Sequence, residues 1–253
     1  FDSDKVLLCE KTEELSVAEN IYKYYNTSLY KDKEEVLDAL SYSVKDNAAV
    51  QEVFFKALQD KNWYTRIDAL DYLEPSKFSN KAKLSLALQK MINTDSCSQV
   101  REKALNTLAA FEKENMVTVL ENSLKNDSSI LVKAAALNQL EVYNKSKAYK
   151  YAIQLKDTKD NSMLSAIANV FKDTTADNLE FFKKAIWLNA PRSYYKNFRY
   201  FGEYLKNADV LILEKAILFL KKNKKYEESD YNTLGAKKLV QNLKVYFEKK
   251  KKK

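Results

Sequence analysis

Asp60-Lys61-Asn62-Trp63-Tyr64-Thr65-Arg66-Ile67-Asp68-Ala69-Leu70 opens on an aspartate, places an arginine six positions on and closes on Ala-Leu. The same order returns in Asp95 … Arg101-Glu102-Lys103-Ala104-Leu105 and in Asp127 … Lys133-Ala134-Ala135-Ala136-Leu137. A worn copy follows, Asp160 … Ala166-Ile167-Ala168-Asn169-Val170, and a partial one precedes, Val36-Leu37-Asp38-Ala39-Leu40. Counted at the alanine position (Ala39, Ala69, Ala104, Ala136 and Asn169), the copies lie 30, 35, 32 and 33 residues apart. A period in this range marks stacked helix pairs. It predicts an all-α chain, an α-α superhelix or solenoid of antiparallel helix pairs, and moves the search for function from a pocket to a surface.

Composition agrees. Among 253 residues there are two glycines, Gly202 and Gly235, and two prolines, Pro75 and Pro191. Sandwiches, barrels and phosphate-binding loops need glycine at positive φ, and this chain does not supply it. There is no histidine. That excludes a Ser-His-Asp triad, His-based acid–base catalysis and the H-E-x-x-H zinc motif within the chain. Cys9 and Cys97 have no C-x-x-C partner and read as free thiols. The mean hydropathy is −0.52.

The net charge is +8, but Lys249 to Lys253 supply five of those charges, leaving +3 for the body. The polybasic tail reads as solvated charge, with a nucleic-acid or membrane contact as the alternative. The longest apolar run, Val210-Leu211-Ile212-Leu213, is broken by Glu214 and Lys215, so no membrane span is expected. A start at Phe1 with no signal-peptide pattern reads as a processed or excised piece. It leaves the compartment open, periplasm or cytoplasm.

Four segments are expected. Residues 1–15 form a short N-terminal extended strand and linker, orphaned from a sheet upstream. Residues 16–175 carry the helical repeats, 176–248 irregular capping helices, and 249–253 the tail. Asp32 is the expected N-cap of a helix running through Leu40. Helix pairs follow at 47–58 and 64–73, 80–92 and 99–111, 115–124 and 130–143, and 146–155 and 162–171. Irregular helices are expected at 176–188, 193–205, 210–220 and 233–247. Asp/Asn/Ser-rich turns between them suit N-caps.

The repeat residues have a structural explanation. Ala69, Ala104 and Ala136 let neighbouring helices approach, and Leu70, Leu105 and Leu137 fill the layer between them. Asp60, Asp95 and Asp127 are placed to cap the following helix. Arg66, Arg101 and Lys133 are placed to reach a carboxylate in a neighbouring turn, as rungs of a ladder. The acidic pairs Glu13-Glu14, Glu34-Glu35 and Glu227-Glu228 read as solvated charge, because adjacent helix residues diverge. No catalytic and no metal-binding residue is assigned. Tyrosine is the one surplus, at 17 residues. Tyr194, Tyr195, Tyr200 and Tyr204 are candidates to line a groove, while Phe198-Arg199-Tyr200-Phe201 is the one basic-aromatic run.

Val100-Arg101-Glu102-Lys103-Ala104-Leu105 resembles the second helix of HEAT repeats. Three segments go further: Phe1-Asp2 … Val6-Leu7-Leu8-Cys9-Glu10-Lys11, Leu29 to Leu40, and Asp60 … Trp63 … Arg66. They resemble the junction between the β-sandwich and the C-terminal helical domain in bacterial zinc aminopeptidases of the aminopeptidase N family. Lys33 stands where that pattern often has arginine. The resemblance is good over 1–140 and thin after 175. It implies a non-catalytic domain that closes over a zinc-dependent cleft and restricts peptide access. Its partners would be the upstream catalytic and β-sandwich domains of the same polypeptide and, indirectly, the peptide substrate. The zinc would be held upstream, and this chain would carry no cofactor. Two readings compete with it: a free-standing HEAT-like scaffold for protein partners, and, less favoured by a body charge of only +3, a HEAT-like nucleic-acid binder.

Overall fold

The computed structural model describes residues 16–45, 47–186 and 191–222, with Val245 and Glu248. The expected strand at 1–15, the tail at 249–253 and nearly all of the helix expected at 233–247 lie outside the described residues. Every regular element among the described residues is helical. In order they are α1 (16–26), α2 (Tyr30–Ser41), α3 (Ala48–Ala57), α4 (Trp63–Tyr72), a 3-10 turn (Pro75–Lys77), α5 (Lys81–Thr94) and α6 (Ser98–Phe111). There follow α7 (Met116–Asn126), α8 (Ile130–Tyr143), α9 (Lys145–Leu155), α10 (Asn161–Phe171), α11 (Leu179–Ala185), α12 (Pro191–Asn207) and α13 (Val210–Lys222). The described residues are all-α, a HEAT-like arrangement of antiparallel helix pairs. It divides within α7 into two compact units, Phe1–Val119 and Leu120–Lys253.

Asparagine and aspartate start the helices. Asn47, Asn62, Asn80, Asn144 and Asp160 each accept a backbone N–H of the first turn, at 2.9–3.1 Å. Each satisfies one donor that an α-helix leaves orphaned, which is why so many turns here carry Asn. Asp32 does not do this. Helix α2 begins two residues earlier, at Tyr30, and Asp32 sits inside its first turn accepting from the Thr27 hydroxyl at 2.7 Å. Helix α11 is also shorter than its periodicity suggests. Asn178 turns its side chain back to Thr174 Oγ1 (2.8 Å) and Asp177 accepts the Leu179 N–H (3.2 Å), holding 176–178 as a loop.

In the first unit, α2 packs on α4 and α4 on α6, so the second helices of successive pairs form one layer. Val36, Leu37, Leu40, Ala69, Leu70, Val100, Ala104 and Leu105 are buried in it. Ala39, however, is exposed. The partial copy in α2 is therefore out of register by three. Val36-Leu37 occupies the place that Ala69-Leu70 holds in α4, and the true spacing of this step is 33 residues. Gln51, itself buried, ties the loop after α4 to this layer. Its amide donates to Val44 O (3.1 Å), and its Oε1 accepts from the Ser79 hydroxyl (2.9 Å).

In the second unit, α10 packs on α8, α9, α11 and α12. Ala136, Leu137, Ile167, Ala168 and Val170 are buried there, whereas Asn169 is half-buried and donates to Asn138 Oδ1 at 3.2 Å. An aromatic stack of Phe182 on Phe201 (5.4 Å) and on Tyr204 (4.8 Å) closes the far end of this unit.

Candidate functional site

The signature's polar members build a ladder in the first unit. Arg66 Nε and Nη2 each donate to one oxygen of Asp95, both at 2.7 Å, while Nη1 donates to Asp60 O at 2.7 Å. Arg101 repeats the second half, its Nη1 donating to Asp95 O at 2.8 Å. One turn earlier, Lys33 donates to Asp60 Oδ2 at 2.5 Å. Burial alone would raise the Asp60 carboxyl, but the Lys33 ammonium and the Asn62 N–H hold it below its ordinary value. The aspartates themselves do not cap helices, which corrects the expectation for Asp60, Asp95 and Asp127. Each accepts the N–H two residues on, from Asn62 (2.8 Å), Cys97 (2.9 Å) and Ser129 (2.7 Å). Those donors belong to the N-cap residues, one step short of the helix, and at Asp60 and Asp95 the other carboxylate oxygen takes the cation, Lys33 and Arg66 respectively. Lys133 is half-buried in the first turn of α8.

Beside the ladder lies a groove. A cavity of about 480 Å³ is lined by Leu58, Met91, Arg66, Asp95 and Lys90, and a second of about 400 Å³ by Tyr25, Phe55, Lys56 and Lys83. Gln59 and Asp60 line both. Lysine ammonium groups cover its rings: Lys56 lies 4.2 Å from the centre of Tyr25 and Lys83 4.2 Å from that of Phe55.

The second-helix layer of the same unit carries a different surface. Tyr30, Glu34 and Asp38 lie four residues apart along α2, and Tyr64, Asp68 and Tyr72 four apart along α4, each set on one face. The two stripes meet. The Tyr30 and Tyr64 rings are 5.4 Å apart, and Trp63 stacks on Tyr64 at 3.7 Å. Burial pushes the Tyr30 phenol up, and the neighbouring Asp68 carboxylate pushes it further. Burial pushes the Asp68 carboxyl up, Tyr30 opposes this, and the charges of Glu34 and Asp71 push it further. Tyr72 is also pushed up, by burial first and then by the charges of Asp38, Glu34, Asp68 and Asp71 on the same two helices. Asp68 Oδ2 is buried with no hydrogen-bond partner. Among the described residues one cation pairs with the four, Lys103 with Asp71. Glu34 is therefore more than solvated charge, whereas exposed Glu35 pairs with Lys23 at 3.4 Å.

The groove tyrosines separate. Tyr204 is a core residue, fully buried, with its hydroxyl donating to Ala176 O (3.1 Å) and accepting from Asn178 N–H (3.0 Å). This corrects its place as a groove-lining candidate. Its ring completes a hydrophobic stack while its hydroxyl satisfies two backbone groups. Tyr200 is half-buried beneath Lys172 (5.6 Å) and Arg199 (5.1 Å). The side chains of Tyr194 and Tyr195 lie outside those described. Among the described residues no group of three or more His, Cys, Asp or Glu is arranged to hold a metal ion. None of the described helices is long and apolar enough to cross a membrane.

Residues 51–141 match the family model of HEAT repeats. The HEAT segment thus spans three full copies of the Asp…Arg/Lys-x-x-Ala-Leu signature. No curated protein matches the chain. Among solved structures, the crystal structure of an engineered protein aligns with 90% of this chain and 98% of its own at 13% identity. Its TM-score of 0.34 is too low to support a common architecture.

Proposed function

We propose that this HEAT-repeat chain is a non-catalytic scaffold that binds protein partners along its stacked second helices. The observation that carries this reading is the α2–α4 surface, where a stacked Trp63–Tyr64 pair lies beside four carboxylates and Tyr64 is 49% exposed. Exposed aromatic anchors with a charged rim are what partner surfaces are made of. The test is cross-linking of the purified full chain to its binding partner, with contact sites mapped by mass spectrometry. Cross-links concentrated on α2, α4 and α6 support the reading. A chain that captures no partner overturns it.

The Asp60 … Trp63 … Arg66 motif supports a finer reading, in which the scaffold is the C-terminal domain of a zinc aminopeptidase and its partner is the catalytic part of the same polypeptide. The chain has no histidine, so it does not fit the zinc itself and no chemical step passes through its residues. Its contribution would be to cover the cleft and limit which peptides enter. An H-E-x-x-H sequence encoded in frame upstream of Phe1 is the expected finding. An initiation codon immediately upstream of Phe1 would overturn this finer reading and leave the scaffold reading intact.

A further inference from the structure

We infer that the α2–α4 surface is a docking site for an extended, arginine- or lysine-rich segment of a partner protein. The inference rests on the scaffold reading and names the chemistry of the partner. Charge is the first argument. The chain as a whole is at +8, yet Glu34, Asp38, Asp68 and Asp71 lie along the two packed helices α2 and α4 with Lys103 as their one paired cation among the described residues. A surface with that excess of carboxylates favours cationic groups within a Debye length and repels acidic ones. The second argument is the ring system. Tyr30, Tyr64 and Trp63 form a contiguous aromatic platform at the edge of the carboxylates. A guanidinium or ammonium group over such a ring is attracted by its π-face, and arginine satisfies ring and carboxylate together.

The third argument is the unmet acceptor. Asp68 Oδ2 has been taken from water without receiving a donor, a costly state that leaves its negative charge uncompensated beneath the face and adds to the pull on a cation outside. A bare metal ion does not fit the same surface, because the carboxylates are not grouped to coordinate one. Spacing adds a constraint. The stripes run along the helix axes for two turns, so charges on an extended segment would be met in succession rather than at one point.

The test is direct because the chain is itself basic, so generic electrostatics oppose the binding of a polycation. A fluorescein-labelled hexa-arginine peptide is titrated into the full chain, followed by anisotropy and by tryptophan emission. Saturable binding is expected, weakening about tenfold in the Glu34→Gln/Asp68→Asn double variant and about fivefold in Tyr64→Ala. The charge-matched pair Glu114→Gln/Asp157→Asn, two exposed carboxylates elsewhere, should bind as the wild type does. Circular dichroism of each variant separates lost binding from lost fold. Equal affinity in the Glu34/Asp68 variant, equal weakening in the control pair, or equal binding of a hexa-glutamate peptide overturns the inference. Partners that cross-link to α2 and α4 without dependence on Glu34 or Asp68 overturn this inference alone. A chain without any partner overturns the scaffold reading as well.

Discussion

Arg66 grips Asp95 through both carboxylate oxygens while its remaining nitrogen holds the backbone carbonyl of Asp60. One side chain thus joins its own turn to the corresponding turn of the next pair. The pair is largely out of water, with side-chain exposures of 11% for Arg66 and 7% for Asp95. Removing one partner strands the other, which distinguishes it from an ordinary surface ion pair. Arg66→Ala and Asp95→Asn should each destabilise the chain by about 2–4 kcal/mol, and the double variant by clearly less than the sum. A denaturant double-mutant cycle measures this, and additive losses would show that the two residues act independently.

Asp60 and Asp68 should pull the pH dependence of stability in opposite directions. The Asp60 carboxyl is held below its ordinary value of 3.8, so its contribution is complete above that value and is lost as pH falls through the lowered one. Lys33→Gln should remove that contribution, and the gap between wild type and variant should close on acidification. Urea titrations across this acid range would show it.

Asp68 has the reverse sign. Its carboxyl is raised above 3.8, so ionisation costs folded-state stability as pH rises through the window between the two values. Asp68→Asn should therefore be more stable than the wild type at neutral pH and lose that advantage in acid. A neutral-pH loss would mean that the carboxylate is compensated in a way its surroundings do not indicate.

Tyr204→Phe keeps the ring stack and deletes the hydroxyl that serves Asn178 N–H and Ala176 O. Leaving both groups unpaired should cost about 1–3 kcal/mol, read as a lower melting temperature and faster amide exchange at the start of α11. Burial pushes the Tyr204 phenol up to about 12. Absorbance titration of the native chain should leave this tyrosine protonated at pH 10.

Asn115 has φ of 58°, the left-handed region that asparagine and glycine tolerate. Asn115→Gly should change stability by only a few tenths of a kcal/mol, whereas Asn115→Val should cost about 1–2 kcal/mol. Thermal unfolding of the two variants side by side is sufficient.

The helix pairs were legible because the second helices α4, α6 and α8 repeat one buried Ala-Leu step, and a period of that kind survives divergence at most other positions. Where the step is altered, legibility fails. In α2 the eye settles on Ala39-Leu40, although the buried pair is Val36-Leu37; only the Lys33–Asp60 contact reveals the register. The acidic face was hidden for another reason. Tyr30-x3-Glu34-x3-Asp38 and Tyr64-x3-Asp68-x3-Tyr72 are each visible as one helix face, but they are 34 residues apart. Nothing local to either says that α2 and α4 lie side by side, so Glu34 alone looks like solvated charge. Tyr204 misled for a similar reason, since a tyrosine-rich helix does not announce which ring turns inward.

The Lys33 and Arg66 rungs of the ladder also differ in mechanics. Lys33 meets Asp60 through a single nitrogen that can swivel about its own stem, whereas the planar fork of Arg66 fixes both separation and orientation at Asp95. Within the first unit, the Tyr30–Tyr64 seam therefore lies over the rung whose cation is free to rotate about its stem, while the next rung sets α4 at a fixed angle to the turn before α6.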